Sequence, residues 1–446
     1  MRIPTGKKAV PLLFAVFLIT ALSQWAYPFP VDVWNNPPEM TVLSNGIPLL
    51  YHFDDTSEVT VVQIMIRGGS RAEPPGKEGL SYLTTRLMLE IPDDLKLKRL
   101  MGQATRISMV SEGDYSLISI ASLSGNVKEA LDVMTDILYS PLFSGIRISS
   151  LKNMMNAQRE SNADDPRDIA TIGQVDRLFS GTAYSGSVFG TKESLKSIKK
   201  KDIDSFYDTY FRTGNLTLVV ISDLSQLQIV ELCENYLTKV PEGTVEIPVL
   251  AEKQPADPEL PREIHRDVQQ HLISYAYPLD AVSGDNVIRA ELLETLLGQG
   301  IGSRLWPLRA EEKLAYMVAA RSVQMKEGGF LEIFLETDES KMEGAEQSLQ
   351  GVLDDLISQG ISEEELAVTK TYAKASFLRA NENKISRAWT FSAFLSMGFD
   401  AGFLQDYFRF LDEVSLDEMN SFIQTILDPS KRSRIIVGPN PSGNPE

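Results

Sequence analysis

Glu112-Gly-Asp-Tyr-Ser-Leu-Ile-Ser-Ile120 and Glu327-Gly-Gly-Phe-Leu-Glu-Ile-Phe-Leu335 open alike, alternate alike and stand 215 residues apart. Alternation with a period of two marks a strand with one face covered, so each run predicts a half-buried antiparallel strand. The offset persists beyond the strands. Helical spacing over Val127 to Leu138 returns over Met342 to Leu353, with Ala130 matching Ala345 and Leu138 matching Leu353. Leu151 matches Leu366 at the same offset, and Asp204-Ser-Phe206 answers Asn420-Ser-Phe422 at 216. The strands Leu218-Val-Val-Ile221 and Arg434-Ile-Ile-Val437 close the two units. A chain that repeats itself in this way is a duplication. The expected fold is α+β: two tandem homologous domains, 38–240 and 263–440, each an antiparallel-rich sheet backed by helices. The Pro-rich, acidic stretch 241–262 reads as the linker between them.

Outside the repeat, Arg2, Lys7 and Lys8 precede an apolar run from Ala9 to Leu22 that is short for a membrane span. Residues 1–26 read as a signal peptide, with cleavage after a small-residue site at Ala21-Leu-Ser23 or near Ala26. The expected location is periplasmic or secreted, with no stable membrane span after cleavage. The single cysteine, Cys233, lies in an amphipathic helix pattern and reads as a core residue. No internal disulfide is then available, and a chain with 43% hydrophobic residues must rely on its core. A net charge of −18 argues against a nucleic-acid partner and suits basic or unfolded peptides.

The approach Arg67-Gly-Gly-Ser-Arg-Ala-Glu-Pro-Pro-Gly-Lys-Glu-Gly-Leu80 leads into the helix pattern Gly79-Leu-Ser-Tyr-Leu-Thr-Thr-Arg-Leu-Met-Leu89. This run resembles the active-site approach of the M16 (pitrilysin/insulinase, processing-peptidase) family. There a strand ends in a small-residue turn, an acidic-Pro-Gly loop follows, and a Gly-Leu pair opens a helix carrying His-x-x-Glu-His. Here the matching positions read Tyr82-Leu-Thr-Thr85-Arg86. Zinc takes neutral imidazole, thiolate or carboxylate ligands, and a nearby Glu acts as general base for the metal-bound water. A phenol is a poor neutral ligand, a guanidinium has no lone pair to give, and Thr85 cannot take a proton at neutral pH. Where the resemblance places the third ligand, a Glu, this chain has Gln158. With only His52, His265 and His271, none within four residues of another, no replacement site is expected. The resemblance thus implies a member that binds no metal itself.

The second unit keeps a different part of the family pattern. Leu297-Gly-Gln-Gly-Ile-Gly-Ser-Arg-Leu-Trp-Pro-Leu-Arg-Ala-Glu-Glu-Lys-Leu-Ala-Tyr316 resembles its Gly-rich turn, Ser-Arg-Leu segment and Arg…Tyr pair. Gly298, Gly300 and Gly302 would allow backbone conformations and approaches that a Cβ obstructs, and with Ser303 they form the expected substrate-binding turn. The resemblance implies that Arg309 and Tyr316 reach across a chamber, formed by two half-shells, to a zinc site on the opposing chain. A fixed cation and a phenolic donor aimed at growing charge stabilise an oxyanion without themselves reacting. The expected function is therefore the non-catalytic subunit of a heterodimeric zinc metallopeptidase acting on unfolded peptides. Zinc and His-x-x-Glu-His belong to the partner, and this chain needs no cofactor. The alternative is a peptide-binding or scaffold protein without catalysis, holding extended peptides by strand addition.

Overall fold

The first strand triplet that matters, β1 (Glu39–Val42), β2 (Pro48–Phe53) and β3 (Val59–Arg67), begins the first sheet. In this computed structural model, residues 36–90, 94–253 and 262–440 are described; the segment 1–26 and positions 254–261 lie outside them. Helices α1 (Leu80–Met88) and α2 (Asp94–Gly102) lead to the hairpin β4 (Arg106–Ser111) and β5 (Tyr115–Leu123). Then come α3 (Val127–Tyr139), α4 (Gly145–Asn162), α5 (Pro166–Leu178), α6 (Lys192–Ser197) and α7 (Lys200–Tyr210). Strand β6 (Leu216–Ser222) and helix α8 (Gln226–Leu237) complete the first repeat.

The second repeat runs β7 (Glu263–Arg266), β8 (His271–Leu279), α9 (Gly284–Gly298), α10 (Trp306–Ala310), β9 (Met317–Met325) and β10 (Gly328–Thr337). It continues through α11 (Met342–Gln359), α12 (Glu363–Ala380), α13 (Lys384–Met397), α14 (Ala401–Glu413) and α15 (Leu416–Ile426) to β11 (Ser433–Pro439). The strand orders are β1-β2-β6-β3-β5-β4 and β7-β11-β8-β10-β9. Beyond β1 they correspond strand for strand. In each, one parallel pair (β2 with β6, β7 with β11) sits among antiparallel ones. Helices α3 and α11 both start 12 residues after the matched strand residues Tyr115 and Phe330, as the offset requires.

The sheets differ from the half-buried strands expected. Along β3 and β5 almost every residue is buried, including Ser119, which alternation would place in water on the face opposite Ile118 and Ile120. The cause is an exchange of helices. One face of the first sheet carries helices of its own repeat, and the other carries α13 from the second repeat, whose Ala393 and Leu395 pack on Met65, Tyr115 and Leu117. Conversely α5, from the first repeat, covers the second sheet: Ile169 and Ala170 pack with Leu272, Ile435 and Val437. Strands buried on both faces lose clean alternation.

Polar side chains fix each exchanged helix, because a buried polar group without a partner is costly. Ser392 Oγ donates to Gln63 Oε1 at 2.5 Å, and Gln63 Nε2 donates to Ser119 Oγ at 2.5 Å. On the other side Gln174 Nε2 donates to Ser274 Oγ at 3.0 Å, and Ser274 Oγ donates to Glu332 at 2.9 Å. At the start of α13 the ammonium of Lys384, 5% exposed, donates to the carbonyls of Asp54, Ser57 and Val59 at 2.6, 2.8 and 2.9 Å. Arg387 pairs with Asp54 at 2.5 Å. Burial disfavours ionisation of Asp54, but the Thr56 hydroxyl and amide and the Arg387 guanidinium outweigh it and hold the carboxyl at about 2.

The two repeated hairpins also meet. Asp114, at the β4–β5 turn, accepts the Lys326 amide of the β9–β10 turn at 2.9 Å and the Tyr184 hydroxyl at 2.6 Å. Arg71 bridges Asp114 at 3.4 Å and Glu327 at 2.9 Å, and its Nε donates to Pro248 O at 2.7 Å. The described residues form one compact unit, and the first part of the expected linker is docked, with Gly243 O accepting from the Gly214 amide at 3.0 Å.

Candidate functional site

Helix α1 is oriented by the loop before it. The Glu73 carboxylate accepts the amides of Gly79 at 3.0 Å and Ser81 at 2.7 Å, satisfying donors a helix start leaves open. Burial pushes that carboxyl up to about 8 against the pull of the two amides. Beneath the helix, Ser81, Ser111 and Ser116 form a buried hydroxyl cluster with separations of 2.9 to 3.3 Å.

On this rigid helix the three substituted positions have become packing. Tyr82 sets its ring edge-on to Phe189, centroids 4.8 Å apart, and burial raises its phenol pKa. Thr85 is 2% exposed. Arg86 pairs with Glu90 at 3.4 Å, and Glu90 also pairs with Arg147 at the start of α4. Helix α4 packs against α1 through a face that includes Met155, one turn before Gln158. Gln158 itself is exposed and donates to Asn162 at 2.8 Å. A packed phenol, a buried hydroxyl, an ion-paired guanidinium and an amide do not fit a zinc ion. Among the described residues no group of three or more His, Cys, Asp or Glu side chains is placed to hold a metal. His52 lies buried under α13, 5.6 Å from the Phe391 ring, while His265 shares a hydrogen bond with Pro439 O at 3.0 Å and His271 abuts Gly438. Cys233 is core, and burial pushes its thiol up to about 12, far from a reactive thiolate.

The Gly-rich turn is built from tight contacts. A Cβ on Gly298 would lie 2.2 Å from the Ala320 amide nitrogen, and Gly300, at φ +82°, abuts the Tyr372 ring. Gly302 differs from expectation: a Cβ there would meet nothing within 4 Å, because the residue projects from the tip of the turn. Ser303 is buried with its hydroxyl donating to Gly300 O at 2.9 Å, locking the turn.

Arg309 and Tyr316 are both at the surface. Arg309 lies in the last turn of α10, its guanidinium carbon 5.5 Å from the centre of the Trp306 ring. Tyr316, 50% exposed, immediately precedes the edge strand β9. Its hydroxyl donates to Asp338 Oδ2 at 2.7 Å, and this hydrogen bond raises the phenol pKa. Among the described residues no hydrogen bond, ion pair or ring contact joins either residue to Tyr82, Thr85, Arg86 or Gln158. The chain therefore carries two separate places, one degenerate and one displayed.

Sequence reasoning missed the partners that hold these places: Asp338 and Lys341 beside Tyr316, and the Arg71–Asp114–Glu327 clasp. The second had a faint signal, since the repeated Glu-Gly-Asp-Tyr and Glu-Gly-Gly-Phe differ at Asp114 and Gly329.

Two sheets in one strand order, each backed by helices, define a mixed α+β fold of the metallohydrolase type, with no metal-binding cluster among the described residues. The sequence matches the family description "Insulinase (Peptidase family M16)" over residues 50–192 and "Peptidase M16 inactive domain" over residues 197–372. The chain belongs to the M16 family. It is 24% identical over 388 residues to a Helicobacter pylori protein named "Non-peptidase homolog YmxG", covering 85% of this chain and 88% of that one. It is also 24% identical over 394 residues to "Zinc protease PqqE" of the same organism, covering 84% and 87%. Among solved structures, an M16 inactive domain from Pseudomonas fluorescens superposes with a TM-score of 0.80 at 20% identity, covering 92% of this chain and 99% of that one. No helix among the described residues is long and apolar enough to cross a membrane.

Proposed function

We propose that this chain is the non-catalytic subunit of a two-chain M16-type zinc peptidase, lending Arg309 and Tyr316 to the active site of a partner that bears His-x-x-Glu-His and the zinc. The observation that carries the proposal is the display of an exposed cation and an exposed phenol on a firmly built segment of a chain whose matching positions on α1 are spent on packing. In the partner's site Arg309 would steady the charge growing on a scissile carbonyl oxygen and Tyr316 would donate to it, a role that raises turnover without metal chemistry in this chain. The co-occurrence in one organism of relatives named as a non-peptidase homolog and as a zinc protease supports a division of labour. The substrates would be unfolded peptides, and the basic-then-apolar start of the sequence supports a periplasmic or secreted setting.

The test compares the tagged chain gently purified from its native host with the recombinant chain alone, using a fluorogenic unstructured peptide. Chelator-sensitive cleavage in the first and none in the second is the expected outcome. A native preparation that is intact, silent and free of any zinc peptidase would end the subunit reading. It would favour the scaffold instead, for which the specific observation is that β4 closes the first sheet with no strand beyond it, an edge open to an added peptide strand.

A further inference from the structure

The segment that carries Arg309 and Tyr316 is held more firmly than its exposure suggests. Leu314 and Ala315 donate their amides to Leu308 O at 2.9 and 3.2 Å, turning the chain back on α10. Thr337 Oγ1 donates to Leu314 O at 2.6 Å, and the Tyr316 amide donates to Glu336 O at 2.9 Å. Between them Lys313 sits at φ +57°, one of two non-glycine residues in the left-handed region among the described residues. Side chains with a Cβ resist that conformation, and it persists where the surroundings over-determine it. Lys341 contributes by donating its ammonium to Lys313 O at 3.1 Å.

The same lysine lies next to the Tyr316 hydroxyl. Lys341 Nζ is 4.0 Å from Asp338 Oδ2 and 5.9 Å from the centre of the Tyr316 ring. A phenol has one proton. In this structure that proton is given to Asp338, so Tyr316 presents lone pairs outward and has nothing to donate. The role proposed above for Tyr316 requires the opposite arrangement, with the proton aimed at a substrate oxygen.

We propose that Asp338 is a positioning residue that withholds the Tyr316 proton, and that Lys341 takes over the Asp338 carboxylate when Tyr316 turns to a partner's substrate. The inference rests on the assisting role of Tyr316. It makes the free chain a resting form, and it makes engagement an exchange of one hydrogen bond for another rather than a rearrangement of the segment. The clamp on Lys313, Leu314 and the Tyr316 backbone stays in place while the hydroxyl changes partner. No covalent step is involved. The raised phenol pKa is in keeping with a proton committed to a carboxylate.

The test uses the chain purified with its associated peptidase from the native host, assayed on the same fluorogenic peptide, with the isolated chain titrated in parallel. Hydrogen bonds to charged groups hold with roughly 1.5 kcal/mol or more, so Asp338→Ala should raise kcat about tenfold, with KM little changed because the proton is needed only in the transition state. Asp338→Asn, which keeps an acceptor without the charge, should give a smaller rise. Lys341→Met should lower kcat, since Asp338 then has no substitute for Tyr316. In the isolated chain, an ultraviolet difference titration against Tyr316→Phe should show the Tyr316 phenol ionising at lower pH in Asp338→Ala. A kcat for Asp338→Ala at or below wild type, with Tyr316→Phe impaired, overturns the withholding and leaves the assisting role standing. A Tyr316→Phe assembly that turns over normally overturns the assisting role itself, and this inference with it.

Discussion

Tyr82, Thr85 and Arg86 on α1 and Arg309 and Tyr316 around α10 lie in matched halves of one duplicated chain, yet their surroundings are opposite. On α1 each side chain is spent on the fold: a ring against Phe189, a buried hydroxyl, a guanidinium paired with Glu90. Around α10 the side chains stay in water while their backbone is gripped from β10 and from Lys341 just before α11. Arg309 and Tyr316 contribute no such packing and stand exposed on a backbone that includes a left-handed lysine. The difference teaches where to look for function when no metal-binding cluster stands among the described residues.

Acid should separate the two regions most strongly. Burial, reinforced by Arg387, depresses His52 from 6.5 to about 4, so its neutral form belongs to the fold. Below pH 6.5 the unfolded chain takes up that proton first, and stability falls until about pH 4, by roughly 3 kcal/mol in all. Urea unfolding across this window should show the loss, and His52→Gln should flatten it. The loss should begin at the α13 seat on the first sheet, visible as faster amide exchange there than in 309–316; equal loosening of both would break the comparison. Next in size, Arg309→Ala should lower kcat of the native assembly by about 10²-fold while unfolding of the chain stays unchanged. Tyr82→Ala should do the reverse, removing about 2 kcal/mol of stability and sparing turnover once the protein is folded. A Tyr82 variant that folds normally and loses turnover would give α1 a chemical task after all. The smallest effect sharpens the picture of the clamp. Lys313→Gly should stabilise the chain by about 1 kcal/mol in calorimetry, because glycine accepts the left-handed backbone.

Much of the architecture was readable from spacing. The offset between Glu112 and Glu327 makes β5 the counterpart of β10, and Val127 and Met342 begin α3 and α11 as that offset demands. What spacing could not convey is which element covers a face. Ser119 looks like a solvent position because it stands on the face opposite Ile118 and Ile120, but periodicity reports only that one face is covered, not whether the other is. The covering helix α13 lies more than 260 residues further along. Its own sequence, Lys384-Ile-Ser-Arg-Ala-Trp-Thr-Phe-Ser-Ala-Phe-Leu-Ser-Met397, buries Lys384, Ala388, Phe391 and Ser392, a mixture that makes sense only against the first sheet. At the displayed site, Arg309 and Tyr316 could be picked out by pattern. Asp338 could not, since its reach to Tyr316 depends on how β9 and β10 are registered.

The exchange of α5 and α13 has a consequence for how the chain is made. Synthesis proceeds from the N-terminus at about 5–20 residues per second, so the first sheet, complete at Ser222, waits roughly 10–35 seconds before Met397 emerges to cover it. During that interval Met65, Tyr115 and Leu117 face the crowded surroundings of a nascent chain, and an early stop or a cut between the repeats leaves them bare for good.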